Sequence, residues 1–224
     1  DLNDIDILVH LAATGVTPKV SSWDDCFSFN VDQSLSLINR AIKSGIKKFV
    51  ITGSYAEYGT SALDFDFIPV NAPLNPTDIY SASKASGSVA LKALSIVEKV
   101  ELVYLRLSLV YGEGQYENNF WSSLRKAALN GKDFKMTKGE QIRDFISVED
   151  VSEIILSSCE EKSLIPGEPI FQNVGTGRPK TLKDFAEYWW KKWEAKGKLK
   201  IGALKYRKNE VMRYVLKIPG NEKN

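Results

Sequence analysis

Histidine and cysteine are nearly missing from this chain: 224 residues hold one histidine, His10, and two cysteines, Cys26 and Cys159. A single imidazole excludes a histidine-built metal site and a Ser-His-Asp triad, and no metal site is expected. Two cysteines far apart in helix-like segments make neither a disulfide framework nor a metal cluster, and they point to a reducing, cytoplasmic setting. No apolar run approaches the ~20 residues needed to cross a membrane, and no signal peptide opens the chain. An excess of one charge is lacking too. The 30 basic and 28 acidic residues are interspersed and leave a net +2, which gives no case for a nucleic-acid or membrane partner. There is no internal repeat and no low-complexity segment. The last absence is a glycine-rich turn after a strand, the feature that holds a pyrophosphate at a helix N-terminus in open α/β sheets. "GTGRP" at 175–179 comes too late in the chain and lacks the spacing.

What is present is the composition of a globular protein, 43% hydrophobic and 26% charged, long enough for one large domain or a domain with a lobe. "IDILVHLAA" (5–13), "KKFVITG" (47–53) and "VELVYLRLSLVYG" (100–112) are continuous apolar runs, as expected of strands buried on both faces of a parallel sheet. Helices are expected between them. One spans 23–44, with Phe27, Val31, Leu35, Ile38 and Ile42 as its apolar stripe and Gly45 as its stop. The other spans 79–98, after a loop holding Pro69, Pro73 and Pro76. Strand and helix alternating at this spacing mean right-handed crossovers in a doubly covered parallel sheet.

The second half is more broken. Helices are expected over 119–130 and 148–160, and strands over 141–147 and 169–175. A further helix starts at Thr181, whose capping box is completed by Asp184. Phe185, Tyr188, Trp189 and Trp193 share one face of that helix, where core packing outweighs a base-stacking platform.

Tyr80 and Lys84 lie one helical turn apart in "YSASK". A free phenol with a pKa of ~10 is a poor base at neutral pH. An ammonium ~4 Å away, at an effective dielectric of ~20, favours the phenolate by ~4 kcal/mol, about three pKa units. Lys84 is therefore expected to lower the Tyr80 pKa to where one group both gives and takes a proton. Alone, the pair equally fits a solvated helix face. Ser54 ends the 47–53 strand, and ligands of parallel sheets bind at strand C-termini. Its hydroxyl could meet a substrate oxygen, though it also fits an ordinary turn. Small residues end the first strand, letting a flat ligand approach the backbone, and Asn30 stands inside the first helix.

Taken in order, "HLAA" (10–13), "FNVDQSLSL" around Asn30, "TGSYAEYG" (52–59), "YSASK" (80–84), "LRLSLVYGEGQ" (105–115), "RDFISVEDV" (143–151) and "NVGTG" (173–177) resemble the NAD-dependent epimerase/dehydratase family. These are the extended short-chain dehydrogenases/reductases that act on nucleotide sugars. The tail is most similar to sugar 4-ketoreductases of the CDP-abequose synthase type.

The resemblance implies an α/β fold, a Rossmann-type parallel sheet with helices on both faces plus a smaller C-terminal substrate-binding lobe. Residues 1–115 would be the C-terminal part of the dinucleotide-binding domain. Residues 116–224 would be mainly the nucleotide-sugar lobe, with some segments returning to the sheet. The N-terminal strands with the glycine-rich loop would be absent from this chain.

It further implies Tyr80 as acid/base at a sugar C4 oxygen. Lys84 would lower its pKa and hold the nicotinamide ribose, and Ser54 would orient the sugar oxygen. The backbone of Leu11, Ala12 and Ala13 would line the site of NAD or NADP, with Asn30 helping to position it. Asn119, Arg143 and Arg207 would contact the nucleotide diphosphate, as a guanidinium fork suits, and Glu210 the nucleotide ribose. Surface ion pairing, such as Arg143 with Asp144 or Glu149, is the plainer alternative for the arginines.

Three departures narrow the choice. Tyr55 and Ala56 replace the acid pair of the sugar dehydratases, Glu57 stands one step later and is expected to point elsewhere, and Leu109 replaces a common asparagine. The expected function is an NAD(P)-dependent nucleotide-sugar epimerase or 4-ketoreductase working as a homodimer. The alternatives are a truncated, non-catalytic nucleotide-sugar-binding relative and a plain NAD-binding structural protein.

Overall fold

The computed structural model describes residues 4–16, 22–208 and 210–218. The first elements in chain order are β1 (Ile7–His10), α1 (Trp23–Phe27), α2 (Ser34–Lys43), β2 (Lys48–Ser54), α3 (Ile79–Val97) and β3 (Glu101–Leu107). Then follow β4 (Leu109–Tyr111), α4 (Phe120–Leu129), β5 (Phe134–Lys135), β6 (Ile142–Arg143), β7 (Phe145–Ser147) and α5 (Val148–Glu160). The last are β8 (Ile170–Val174), β9 (Lys180–Thr181), α6 (Leu182–Lys192), β10 (Leu199–Lys200) and β11 (Arg213–Tyr214). The chain divides into two compact units. The first holds Asp1–Ser61, Val70–Leu107 and Ser152–Val174; the second holds Ala62–Pro69, Ser108–Val151 and Gly175–Asn224.

The first unit is built on a sheet of order β1-β2-β3-β8, with every pairing parallel. One sheet face carries Phe49, Ile51, Leu102 and Tyr104, packed against Ile38 and Ala41 of α2 and Leu91 of α3. Val50, Val103 and Leu105 point the other way and are buried too, so the central strands are covered on both faces, as their unbroken apolar sequences require. The expected helix over 23–44 is continuous but not uniform: residues Ser28–Gln33 form a π-helical segment between α1 and α2. Such segments are single-turn insertions that often mark functional sites, and this one carries Asn30.

In the second unit β6 lies between β11 and β9, β4 pairs with β7, and β5 with β10. Its core is aromatic. Trp121, Phe145 and Phe185 are buried, with Tyr111, Trp189 and Trp193 against them, and the Phe145 and Phe185 rings stack at 3.9 Å. The 100–112 run begins as the expected strand β3 and leaves the sheet at Ser108, where Leu109–Tyr111 pairs with β7 instead. Two expectations are corrected here. The 141–147 strand breaks at Asp144, whose buried carboxylate accepts from the Gly177 amide at 2.8 Å and from the amide and hydroxyl of Thr176. Tyr188 is not in the core: it is 55% exposed, with the ammonium groups of Lys180 and Lys192 over its ring.

Candidate active site

Ser54 is the last residue of β2, at the C-terminal edge of the parallel sheet. A short 3-10 turn, Tyr55–Tyr58, follows, and Ser54 caps it, its hydroxyl accepting the Ala56 amide at 3.2 Å. Gly59 then turns the chain with φ +51°, and a Cβ there would lie 1.7 Å from the Asn75 carbonyl oxygen, so only glycine fits. The turn is thereby bonded to the loop entering α3: Thr60 N donates to Asn75 O at 3.0 Å, and Asn75 N to Tyr58 O at 3.3 Å. Asp78 caps α3 in a capping box with Ser81. Two residues later comes Tyr80. The sequence thus brings Ser54 and Tyr80 together through a glycine turn and a helix cap.

With its acceptor side used by Ala56, the Ser54 hydroxyl is free to donate to the Tyr80 phenol, and that bond favours the phenolate. Burial acts more strongly in the other direction and pushes the phenol up to about 12, with the charge of Glu57 adding to it. The depression expected from Lys84 is therefore reversed. The Lys84 side chain is buried and its Nζ donates to the Thr52 carbonyl at 2.8 Å. Burial lowers its pKa, while Glu57 raises it. His10 sits close enough for the Lys84 charge to act with burial in holding the imidazole below its ordinary value.

Asn30 lies buried in the π segment and spends its amide on protein. Its Nδ2 donates to Thr14 O at 2.9 Å and Ser83 Oγ at 2.8 Å, and its Oδ1 accepts Thr14 N at 2.9 Å. It pins the loop after β1 to the turn of α3 between Tyr80 and Lys84. Leu11 and Ala12 in that loop are exposed and Ala13 is half-buried. The residues present fit a flat dinucleotide: small, open backbone at a strand end, beside an ammonium whose bond to Thr52 uses one of its three donors.

The remaining candidates are in the second unit. Asn119 is the N-cap of α4, yet its side chain makes no cap bond. Arg143 is half-buried and pairs with Glu210 at 2.8 Å, not with Asp144 or Glu149, and its Nη2 also donates to Val211 O at 2.7 Å. Arg207 is exposed and Glu210 half-buried.

Sequence reasoning missed the charged core under Ser54. Glu57 and Arg106 form a buried ion pair at 2.8 Å, joined by Tyr104, Tyr58 and Asn173. Two signals were legible: the S-x-x-E pattern of a capping box at Ser54, and an arginine inside an apolar strand, which demands a buried partner.

The sequence profile of the NAD dependent epimerase/dehydratase family matches residues 1–175. The chain belongs to that family. Among its members, the CDP-abequose synthase of Salmonella typhimurium is 32% identical over 209 residues, which cover 92% of this chain and 65% of that enzyme. The dTDP-L-rhamnose 4-epimerase of Burkholderia thailandensis is 26% identical over 218 residues, covering 81% of this chain and 59% of its own length. A solved structure, the UDP-N-acetylglucosamine 4-epimerase of Methanobrevibacter ruminantium with UDP-N-acetylmuramic acid, superposes with a TM-score of 0.86 at 27% identity, over 97% of this chain and 69% of that one. The chain thus spans about two thirds or less of these family members. Its Rossmann-type sheet is the family's fold, and among the described residues no helix is long and apolar enough to cross a membrane.

Proposed function

We propose that the chain carries the proton-transfer site of an NAD(P)-dependent nucleotide-sugar 4-ketoreductase, with a 4-epimerase as the alternative outcome. The observation that supports it most is the meeting of Ser54 with the neutral, half-buried Tyr80 phenol at the edge of a parallel sheet, beside the buried Lys84 ammonium. A bound NAD or NADP would supply hydride to the sugar carbon. Leu11, Ala12 and Ala13 line its place, Asn30 holds that loop, and Lys84 offers donors to a ribose.

Ser54 holds the C4 oxygen, and Tyr80 gives it a proton. At about 12 the phenol is neutral at pH 7, the form a ketone reduction requires. An epimerase needs the same neutral phenol in its reducing half-reaction, so the choice of reduction rests on the similarity to the CDP-abequose synthase. Dehydration is disfavoured because Tyr55 and Ala56 supply no acid pair. In the second unit we assign Asn119, Arg143 and Arg207 to the nucleotide diphosphate and Glu210 to its ribose. The Asn119 side chain, which makes no cap bond at the start of α4, supports this; the Arg143 guanidinium would have to turn from Glu210 and the carbonyls of Ile142, Val211 and Met212 to reach the diphosphate. A cytoplasmic setting accords with the two free cysteines.

The test is Tyr80→Phe in the full-length protein, assayed by nicotinamide absorbance with CDP-, dTDP- and UDP-linked 4-keto sugars. Turnover is expected to fall roughly 10²–10⁴-fold with folding intact. Undiminished turnover would exclude the proton-transfer role. Net consumption of reduced cofactor marks a reductase, and sugar interconversion without it an epimerase. Nucleotide-sugar binding without either reaction would mark the non-catalytic reading.

A further inference from the structure

The carboxylate of Glu57 is fully buried, and three donors converge on it. Oε1 accepts the backbone N–H of Ser54 at 2.8 Å and the Tyr104 hydroxyl at 2.9 Å, and Oε2 accepts Arg106 Nε at 2.8 Å. Arg106 continues outward through Nη1 to Tyr58 Oη at 3.1 Å and Val70 O at 3.0 Å, and Tyr58 donates to Asn173 Oδ1 of β8 at 2.7 Å. The end of β2 is thereby tied to both β3 and β8 immediately below Ser54. Gly53 leaves the space: a Cβ there would stand 2.6 Å from Glu57 Oε1.

We propose that Glu57 is a positioning residue of the proton-transfer site: its carboxylate, fixed by Tyr104 and Arg106, holds the Ser54 backbone N–H directly and supplies the negative charge felt at Lys84. This rests on the function proposed above. A buried ion pair is seldom a source of net stability, so its place under Ser54 calls for a different role. The charged groups that act on or with Lys84 are Glu57 and His10; Tyr55 and Asp78 act on the neighbouring Tyr80 phenol, and Tyr104 and Arg106 on β3 hold Glu57 itself. Burial drives the ammonium toward neutrality, and Glu57, not Arg106, acts against it. The same charge bears on the Tyr80 phenol.

The experiment follows the ε-carbon resonance of Lys84 by NMR in protein labelled with ¹³C-lysine, the signal being identified by its loss in Lys84→Met. In Glu57→Gln the Lys84 midpoint is expected to fall by about one pKa unit, a tenfold change in its ionisation constant. Glu57→Asp, which keeps the charge, should retain the midpoint while turnover drops because the shorter side chain releases Ser54. If Glu57→Gln does not fold, the apolar pair Glu57→Leu with Arg106→Leu replaces it, and the same downward shift is expected because Glu57 is the charge acting on Lys84. An unchanged midpoint in whichever variant folds overturns the proposal. The titration needs neither cofactor nor turnover, so it decides the role of Glu57 even if Tyr80→Phe proves the enzymatic function wrong.

Discussion

Gly53 shows how narrow the tolerances are at the residue scale. A Cβ there would lie 2.2 Å from a Tyr104 ring atom, and Tyr104 is 1% exposed and cannot swing aside. Gly53→Ala is expected to cost roughly 1–3 kcal/mol through overpacking, read as a lowered urea midpoint. Tyr80 makes a second residue-level prediction. Its folded pKa of about 12 lies above the ordinary value of 10.0. The folded state therefore holds the proton more tightly than the unfolded state. That contribution is complete below pH 10 and is lost as pH rises toward 12, by on the order of 3 kcal/mol. Tyr80→Phe should flatten the alkaline fall in stability over that window in denaturant titrations at stepped pH. Ser54, Tyr80 and Lys84 were legible in the sequence as a candidate group, and the structure brings Ser54 and Tyr80 within hydrogen-bonding reach. The direction of the Tyr80 shift was not legible, because burial depends on neighbours far away in the chain.

At the scale of elements, α3 delivers the phenol, and its start is fixed by Asp78, whose side chain accepts the Ser81 amide at 2.9 Å. Asp78→Ala is expected to cost about 1 kcal/mol of stability. Because the lost cap adjoins Tyr80, turnover should fall further than a distant substitution of equal thermal effect would make it. A thermal melt and a kcat measured on the same preparation check both. The central strands β2 and β3 and the helices α3 and α4 follow closely from apolar period and caps. The breaks do not. Asp144 interrupts what read as a single strand, and where β3 gives way at Ser108 was not legible, since a strand ends where its partner ends and periodicity carries no knowledge of partners. The π segment around Asn30 is likewise invisible to a 3.6-residue stripe.

For the whole molecule, the outer face of α3 presents Val89, Ile96 and Val97, exposed by 61%, 48% and 74%, at i, i+7 and i+8. Residues at that spacing share one side of a helix, and an apolar stripe on a surface marks a contact. We propose that the homodimer implied by the family resemblance, paired through the helices near 24–44 and 79–98, uses this stripe. Val89→Asp with Val97→Asp should convert a dimer of the complete protein into a monomer in light scattering after gel filtration. If the complete protein is monomeric without substitution, the pairing is wrong. At the sheet's edge β1 leaves Val9 and the following Leu11 exposed by 40% and 56%.

The sequence by itself determined the family and the parallel pairing of the central strands. Each is written in local patterns: the family in its ordered motifs, the buried strands in apolar runs. Only the tertiary structure decided which way the Tyr80 pKa moves, what Arg143 pairs with, and that Glu57 and Arg106 lie joined beneath Ser54. Those outcomes depend on burial and on charges brought together from separate strands, and neither is encoded in the spacing of residues along the chain.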